Sequence, residues 1–380
     1  MKIKKILSMS VVLLALFLLT VEMSGVMPLV PVIASMYQVD PTYVVYYNLG
    51  HAFFGMAAPF VGYQADRFGV KRMIVMSMIL FTVGSLVILW GRTLLFYVLG
   101  RALIGLSFYT MMGISQTYLS SMVSRRYQAF VSGFHRLVFA SAILSSPMIG
   151  NFLVTTGGFL SFYRFLAMGG SVLVVMLGFV SSIQVSSHKI SLESLKETLQ
   201  GPCAKKMLVS TLLYGLPGIL FYSYYSIHLT SSGYDASNIA LIYTVIGFGS
   251  FMAGVSILTL VKPLGFKRMM TLATLLVPIS LLGLTTIQST MIFVLGFLFG
   301  LSFDAGWGLI FPVASRIAPK HPSTYLTMVS LTMSVGSVLS SLLAPSMFQL
   351  GGFYLIMAIC IGGVSIAFVL LQSILKVTHI

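Results

Sequence analysis

Long apolar stretches alternate with short polar ones along the whole chain. We count twelve predominantly apolar runs, each near or above the roughly 20 residues that a helix needs to cross about 30 Å of hydrocarbon. Their approximate bounds are 6–36, 42–65, 73–91, 94–122, 128–155, 160–186, 207–231, 236–261, 269–287, 290–315, 325–349 and 353–375. The pattern predicts an all-α membrane protein with twelve transmembrane helices.

The basic residues fall almost entirely on one side of the predicted membrane. Of the 22 lysines and arginines, 18 lie on the same side as the N-terminus, and three lie within helices. Only Arg92 lies on the opposite side. Because cytoplasmic loops are enriched in lysine and arginine, we expect both termini in the cytoplasm. The predicted location is the plasma membrane, that is the cytoplasmic or inner membrane, with the chain as a multi-pass protein.

The composition excludes several other classes of protein. Hydrophobic residues make up 58% of the chain and charged residues 8%, whereas soluble domains carry about 25% charged residues. A soluble globular enzyme could not cover its surface with this composition, and a disordered chain needs low hydrophobicity and high charge. The net charge of +15 follows from membrane orientation and anionic lipid headgroups, so we expect a lipid partner and no nucleic acid.

The two halves of the chain repeat short motifs at a nearly constant distance. Four pairs of segments lie about 195 residues apart: Asp40-Pro-Thr and Asp235-Ala-Ser, Gly69-Val-Lys-Arg-Met73 and Gly265-Phe-Lys-Arg-Met269, Gly105-Leu-Ser-Phe108 and Gly300-Leu-Ser-Phe303, Gly157-Gly-Phe159 and Gly351-Gly-Phe353. Val98-Leu-Gly100 is matched in the same way by Val294-Leu-Gly296. These matches predict two pseudo-symmetric six-helix bundles, which in transporters rock about a central site.

We place the first bundle at residues 1–187, the second at 207–380 and a cytoplasmic linker at 188–206. Leucines at helical spacing, among them Leu192, Leu195 and Leu199, predict an amphipathic helix on the membrane surface within the linker. The alternative is a plain solvated linker.

The segment between the second and third runs reads Gly62-Tyr-Gln-Ala-Asp-Arg-Phe-Gly-Val-Lys-Arg72. It closely resembles the G-x-x-x-D-R-x-G-x-K/R-K/R signature of the major facilitator superfamily. The helix count, the repeat and the basic central segment extend this resemblance to the whole chain. The resemblance implies the superfamily fold and secondary active transport.

We assign the motif residues to a gate on the cytoplasmic side. Gly69 permits a turn with positive φ, and Asp66 can accept hydrogen bonds that hold this side closed. In the second half Lys262-Pro263 replaces Asp66-Arg67, so we expect an asymmetric lock. The assigned gating residues are Gly62, Asp66, Arg67, Gly69, Lys71 and Arg72.

Two carboxylates lie deep within predicted helices. Glu22 in the first helix and Asp304 in the tenth lie about 16 and 14 residues from the helix starts, near the middle of the bilayer at 1.5 Å per residue. An intramembrane charge is costly and marks a functional candidate. The two acids are therefore candidates for proton coupling, for binding a cationic substrate, or for both. The alternative is a structural pairing with a basic residue or a helix end.

Arg101 is a third candidate for proton coupling. Its segment resembles the R-x-x-Q-G element of proton-linked family members, with Ile104 in place of the glutamine. A cation here could set the affinity of a nearby acid for protons. Arg164, in Phe-Tyr-Arg-Phe, resembles a W-R-x-x-F element, and we interpret it as structural.

Aromatic residues complete the predicted substrate site. Trp307 lies three residues beyond Asp304 on nearly the same helix face, where its ring could attract a cation. The alternative is helix packing. Tyr222 and Tyr225, also three residues apart, either face the cavity or belong to the interfacial aromatic belt.

The fifth predicted helix contains Ser146-Pro-Met-Ile-Gly-Asn151. It resembles the G-P-x-x-G-G element of antiporters, with Pro147 and Gly150 matching and Ser146 and Asn151 departing. Proline bends the helix and glycine allows close packing, which would seal the cavity against proton leak. The alternative is a plain kinked membrane helix.

The sequence thus predicts a proton-coupled antiporter that expels a small amphipathic or cationic solute by alternating access. Two alternatives stay open: a proton-linked uptake carrier for a sugar or organic acid, and a non-transporting membrane sensor on the same scaffold. The sequence contains no G-x-x-x-x-G-K-S/T loop for ATP and no metal-ligand spacing. We expect no enzymatic activity, no cofactor and no metal, and a monomer whose partners are solute, protons and lipid.

Overall fold

A computed structural model describes residues 2–47, 49–182, 201, 203–286, 290–317 and 322–377. All regular secondary structure in these ranges is helical. Two short 3-10 turns lie at Pro41–Tyr43 and Leu216–Gly218. The α-helices are α1 (Lys2–Val26), α2 (Val30–Tyr37), α3 (Val44–Tyr47), α4 (Leu49–Gly55), α5 (Ala58–Phe68), α6 (Val70–Gly91), α7 (Leu94–Met122), α8 (Arg125–Gly157), α9 (Phe159–Gly178), α10 (Ala204–Tyr214), α11 (Leu220–Ser231), α12 (Ala236–Leu264), α13 (Phe266–Thr286), α14 (Met291–Ile317) and α15 (Pro322–Val377).

Within the described ranges, ten helical segments are long and apolar enough to cross a membrane. The predicted second run is instead divided among α3, α4 and α5. The predicted eleventh and twelfth runs both lie in α15, which is interrupted at Gly352, where φ is 62°. The chain is therefore a multi-pass helical protein, while the count of twelve helices and the cytoplasmic termini stay predictions.

Prolines lie where predicted single helices are divided. Pro28 lies between α1 and α2, Pro59 falls in the first turn of α5, and Pro217 lies in the turn between α10 and α11. Proline has no backbone N–H, and its ring clashes with the preceding helical turn. Apolar length predicted the helical character of these segments but not the interruptions within them.

The chain divides into two compact units, unit 1 (Met1–Lys189) and unit 2 (Ile190–Ile380). In unit 1, α1 packs against α7, α8 and α9, and α7 also packs against α4 and α6. In unit 2, α14 packs against α12 and α13, and α10 packs against α15. The predicted amphipathic helix of the linker falls mostly on residues 183–200, which lie outside the described ranges.

Backbone geometry repeats between the units as the sequence motifs do. Left-handed backbone occurs at Gln38, Gly69 and Gly158 of unit 1, and about 195 residues later at Gly233, Gly265 and Gly352 of unit 2. Helix caps repeat too, because Asp40 accepts a hydrogen bond from the Thr42 amide and Asp235 accepts one from the Asn238 amide. The hydroxyl and amide of Thr42 both bond Asp40 and lower the pKa of its carboxyl.

Two glycines make equivalent close approaches between helices. A Cβ atom on Gly105 of α7 would overlap the backbone carbonyl of His51 on α4. A Cβ atom on Gly300 of α14 would overlap the carbonyl of Ile246 on α12 in the same way. Glycines permit such contact between membrane helices. Because Arg101 lies one helical turn before Gly105, this contact places Arg101 close to α4.

Candidate functional site

A buried ion pair lies inside unit 1. Glu22 on α1 is 0% exposed and Arg101 on α7 is 1% exposed. Arg101 Nη1 donates a hydrogen bond to Oε1 of Glu22, and the two groups form a salt bridge. The structure therefore brings together two of the three residues predicted for proton coupling.

A third helix contributes a hydroxyl to the same carboxylate. Tyr163 on α9 is 0% exposed, and its hydroxyl donates to Glu22 Oε1 at 3.1 Å. The second carboxylate oxygen, Oε2, is buried and has no hydrogen-bond partner among the described residues. Side chains from α7 and α9 thus both donate to Oε1 of Glu22 on α1, while Oε2 can accept a hydrogen bond from a further donor.

Aromatic rings surround this group. Tyr97 on α7 is fully buried, and its ring centroid lies 6.5 Å from that of Tyr163 and 5.4 Å from that of Tyr37. Phe159 also contacts Tyr163, at 5.4 Å between centroids. Such a setting has few dipoles to solvate an unbalanced charge. Protonation of Glu22 would leave Arg101 as an uncompensated buried cation. The electrostatic energy of the pair therefore depends strongly on the protonation state of Glu22.

Asp304 lies in a different setting, on α14 of unit 2. It is half-buried, and it interacts electrostatically with the hydroxyls of Tyr214 and Tyr222. Tyr214 stacks on Phe303 at 5.3 Å and lies edge-on to Trp307 at 5.5 Å. Its hydroxyl donates to the Phe303 carbonyl at 3.0 Å. An acid beside several aromatic faces suits an organic cation.

The two tyrosines predicted for substrate binding lie in an adjoining aromatic cluster of unit 2. Tyr222 is half-buried, with its centroid 5.8 Å from that of Phe299. Tyr225 is fully buried and stacks on Phe221 at 4.6 Å. The Tyr225 hydroxyl has no hydrogen-bond partner in the described part of the chain. Tyr222 borders the Asp304 group directly, whereas Tyr225 lies deeper in the packing.

The structure describes the predicted gating motif only in part. Gly69 ends α5 with φ of 97°, as the sequence predicted. Lys71 Nζ donates to the carbonyl of Gly178, the last residue of α9, at 2.8 Å. A cation at a helix C-terminus is stabilising. Arg72 is exposed. Gly62 lies within α5, and the side chains of Asp66 and Arg67 lie outside the described residues, so the proposed latch stays a prediction.

The predicted helix-five motif lies in α8, close to the ion pair. Pro147 lies inside α8. A Cβ atom on Gly150 would lie 3.4 Å from Leu29 and 3.5 Å from the carbonyl oxygen of Gly25 on α1. Gly25 lies only three residues beyond Glu22. The motif therefore packs α8 against the helix that holds the acid.

Several residues of these groups were not predicted from the sequence, chiefly Tyr163, Tyr97, Tyr214 and Phe303. The Phe-Tyr-Arg-Phe segment directed the interpretation to Arg164, whose side chain is exposed. Its neighbour Tyr163 is the residue that donates a hydrogen bond to Glu22. The described residues contain no group of three or more His, Cys, Asp or Glu side chains that could hold a metal ion.

Known proteins resemble this chain over most of its length. The family model described as Major Facilitator Superfamily matches residues 12–265. Multidrug resistance protein 2 of Bacillus subtilis (strain 168) is 24% identical over 315 residues, which cover 79% of this chain and 78% of that protein.

Two solved structures share the fold. The human organic anion transporter MFSD10 (TETRAN) has a TM-score of 0.75 at 14% identity, with 97% of this chain and 99% of that chain covered. A D-xylose-proton symporter has a TM-score of 0.75 at 13% identity, with 94% and 96% covered. At these identities the two structures establish the fold and leave the solute open.

Proposed function

The chain belongs to the major facilitator superfamily of membrane transporters, and on this premise we propose that it exchanges protons for a small amphipathic or cationic solute. In the proposed cycle, protons move inward and the solute moves outward by alternating access. The plasma membrane is the proposed location.

The buried Glu22–Arg101 pair is the observation that carries this proposal. A carboxylate with no access to water, held by a permanently charged guanidinium, has two states of very different energy in the same apolar surroundings. Gaining a proton removes the attraction between α1 and α7, and losing the proton restores it. A proton can therefore bias a conformational equilibrium, which is what coupling requires.

The Asp304 group supports a cationic solute. An organic cation can neutralise the carboxylate while its apolar part contacts Trp307, Phe303 and the tyrosine rings. The Bacillus subtilis relative is a multidrug resistance protein, and drug resistance fits outward transport of a solute. Coupling between the proton and solute sites is reciprocal, so a solute that favours one conformation also favours one protonation state of Glu22.

Transport by purified protein in proteoliposomes tests this proposal. We would measure flux of a panel of organic cations and their neutral isosteres under an imposed pH gradient. The wild type should accumulate cations against their gradient only when the pH gradient is present. Glu22→Gln should abolish this gradient dependence, and Asp304→Asn should lower the apparent affinity for cations more than for their isosteres.

Asp235→Asn is a matched control, because this acid caps an exposed helix start and contacts neither group. It should behave like the wild type. Undiminished gradient-driven flux in both Glu22→Gln and Asp304→Asn would contradict the proposal. Solute and protons moving in the same direction would identify an uptake carrier instead, and no flux of any solute would favour a sensor.

A further inference from the structure

We propose that Tyr163 is a positioning residue of the Glu22 site and that Oε2 of Glu22 is the atom that receives the proton. This inference rests on the proposed function, since it says how the coupling acid is held. It adds a residue that neither sequence motif nor family resemblance assigns.

The two oxygens of Glu22 are not equivalent. Oε1 accepts hydrogen bonds from Arg101 on α7 and from Tyr163 on α9. Oε2 is equally buried and has no such partner in the described ranges. A carboxylate oxygen has two lone pairs, and those of Oε1 are both engaged. An arriving proton therefore binds Oε2.

Tyr163 is well placed to fix this arrangement. Its side chain is fully buried, and its ring is held by Phe159 and Tyr97 at 5.4 and 6.5 Å between centroids. Arg101 alone would fix the acid from one direction only. A second donor from another helix sets the rotation of the carboxylate, and a hydrogen bond to an ionised acceptor is stronger than one between neutral groups.

The internal repeat shows that the fold does not need these polar groups. Counting from the matched segments, the second-half positions that correspond to Arg101 and Tyr163 are Phe297 and Met357. Met357 is fully buried. Apolar side chains therefore serve these positions in unit 2. The polar group of unit 1 is thus an addition to a shared scaffold, which favours a chemical role over a packing role.

Tyr97 on α7 also interacts electrostatically with the acid, and His51 on α4 interacts in the same way with Arg101. On α8, His135 is hydrogen-bonded to Ser115, which lies 14 residues or about 21 Å along α7 from Arg101. On α9, Arg164 is exposed, and α6 has charged residues only at Lys71 and Arg72, near its start. The charged and titratable groups around Glu22 are thus Arg101, Tyr163 and Tyr97, with His51 beside Arg101.

The proton step breaks one O–H bond and forms another. A proton leaves a hydronium ion, which becomes water, and binds Oε2, so that Glu22 becomes a neutral acid whose carbonyl oxygen is Oε1. The net charge of the Glu22–Arg101 pair rises from zero to +1. The hydrogen bonds from Arg101 and Tyr163 to Oε1 then end on a neutral carbonyl and weaken, which loosens α1 from α7 and α9.

Infrared difference spectroscopy of the purified protein in lipid tests this inference without a known solute. The carbonyl band of protonated Glu22 is identified as the band that Glu22→Gln removes, and it is followed as pH is lowered. Tyr163→Phe removes the hydroxyl that favours the ionised acid, so the titration midpoint should rise by about one pH unit. The band should also move to higher wavenumber, because the carbonyl oxygen loses a donor.

Tyr118→Phe is the matched control. Tyr118 is a fully buried tyrosine of unit 1, and its hydroxyl donates to the Ser181 carbonyl at 2.8 Å. This variant should leave the midpoint and the band unchanged. If Tyr163→Phe is poorly folded, Tyr163→Met provides the same test with the side chain that unit 2 uses at this position.

The outcomes separate the two proposals. An unchanged midpoint and an unchanged band in a folded Tyr163 variant would overturn the role of Tyr163. A shifted midpoint with an unchanged wavenumber would overturn the assignment of the proton to Oε2. A wild type that moves no protons with solute would refute the proposed function, and the Glu22 titration would still decide the role of Tyr163.

Discussion

Removing one partner of the Glu22–Arg101 pair should destabilise the protein strongly, and the two removals should differ in their pH dependence. Both side chains are almost fully buried, so either removal leaves a charge without compensation. Breaking a buried ion pair in this way costs about 3–5 kcal/mol. In Glu22→Gln, Arg101 stays charged at any ordinary pH, so this site should add no pH dependence to the variant's own unfolding free energy.

In Arg101→Met the remaining carboxylate can become neutral by binding a proton. The loss of unfolding free energy should therefore be small in acid. It should increase with pH by up to about 1.4 kcal/mol per pH unit, until the carboxylate is fully charged and its burial without a partner sets the limit. The double variant Glu22→Gln/Arg101→Met leaves no charge, and replacing a buried pair by neutral groups is often nearly neutral.

The assay is the unfolding free energy in lipid bicelles from pH 5 to pH 8, for the wild type, both single variants and the double variant. We expect a double-mutant coupling energy of about 2 kcal/mol or more. Asp235→Asn should change the unfolding free energy by less than about 1 kcal/mol, because that acid is exposed. Additive single effects, or the same pH profile in both single variants, would refute the reasoning.

Two further predictions use matched pairs in the chain. Gly105→Ala should lower the unfolding free energy by about 1–3 kcal/mol, because the added Cβ overlaps the His51 carbonyl. Gly113→Ala should be neutral or slightly stabilising, because its added Cβ meets nothing within 4 Å. Thermal unfolding measures both variants, and equal effects would contradict the close packing of α7 against α4 at Gly105. Trp307→Leu should weaken binding of an organic cation by about fivefold, since a cation–π contact contributes about 1 kcal/mol. Trp90→Leu should not change binding, because Trp90 is 86% exposed. Equilibrium dialysis measures cation binding by both tryptophan variants. Equal losses of affinity would exclude Trp307 from the site.

The fold was largely predictable because the bilayer demands long apolar helices, and apolar length is visible in any single sequence. The turn at Leu216–Gly218 was less visible, since the residues around Pro217 are as apolar as their neighbours. The turn with positive φ at Gly69 was correctly predicted, because such a turn favours a residue type that stands out, and the repeated Gly265 has the same backbone.

The site was predictable only in part. Charge inside an apolar run singled out Glu22, Arg101 and Asp304, because ionisable groups are rare there. The pairing of Glu22 with Arg101 depends on how α1 packs against α7, and no local pattern links residues 79 positions apart. Tyr163 gave no signal, because tyrosine is common in membrane helices and its role depends on a single hydrogen bond between helices.

Proton movement evoked by solute is the decisive measurement of coupling through Glu22. Proteoliposomes with an internal pH-sensitive dye would receive a transported organic cation without any imposed pH gradient. The wild type should move protons opposite to the solute, and Glu22→Gln should move solute down its gradient with no proton signal. A proton signal of equal size in Glu22→Gln, or solute transport by the wild type without protons, would exclude proton-coupled antiport through Glu22.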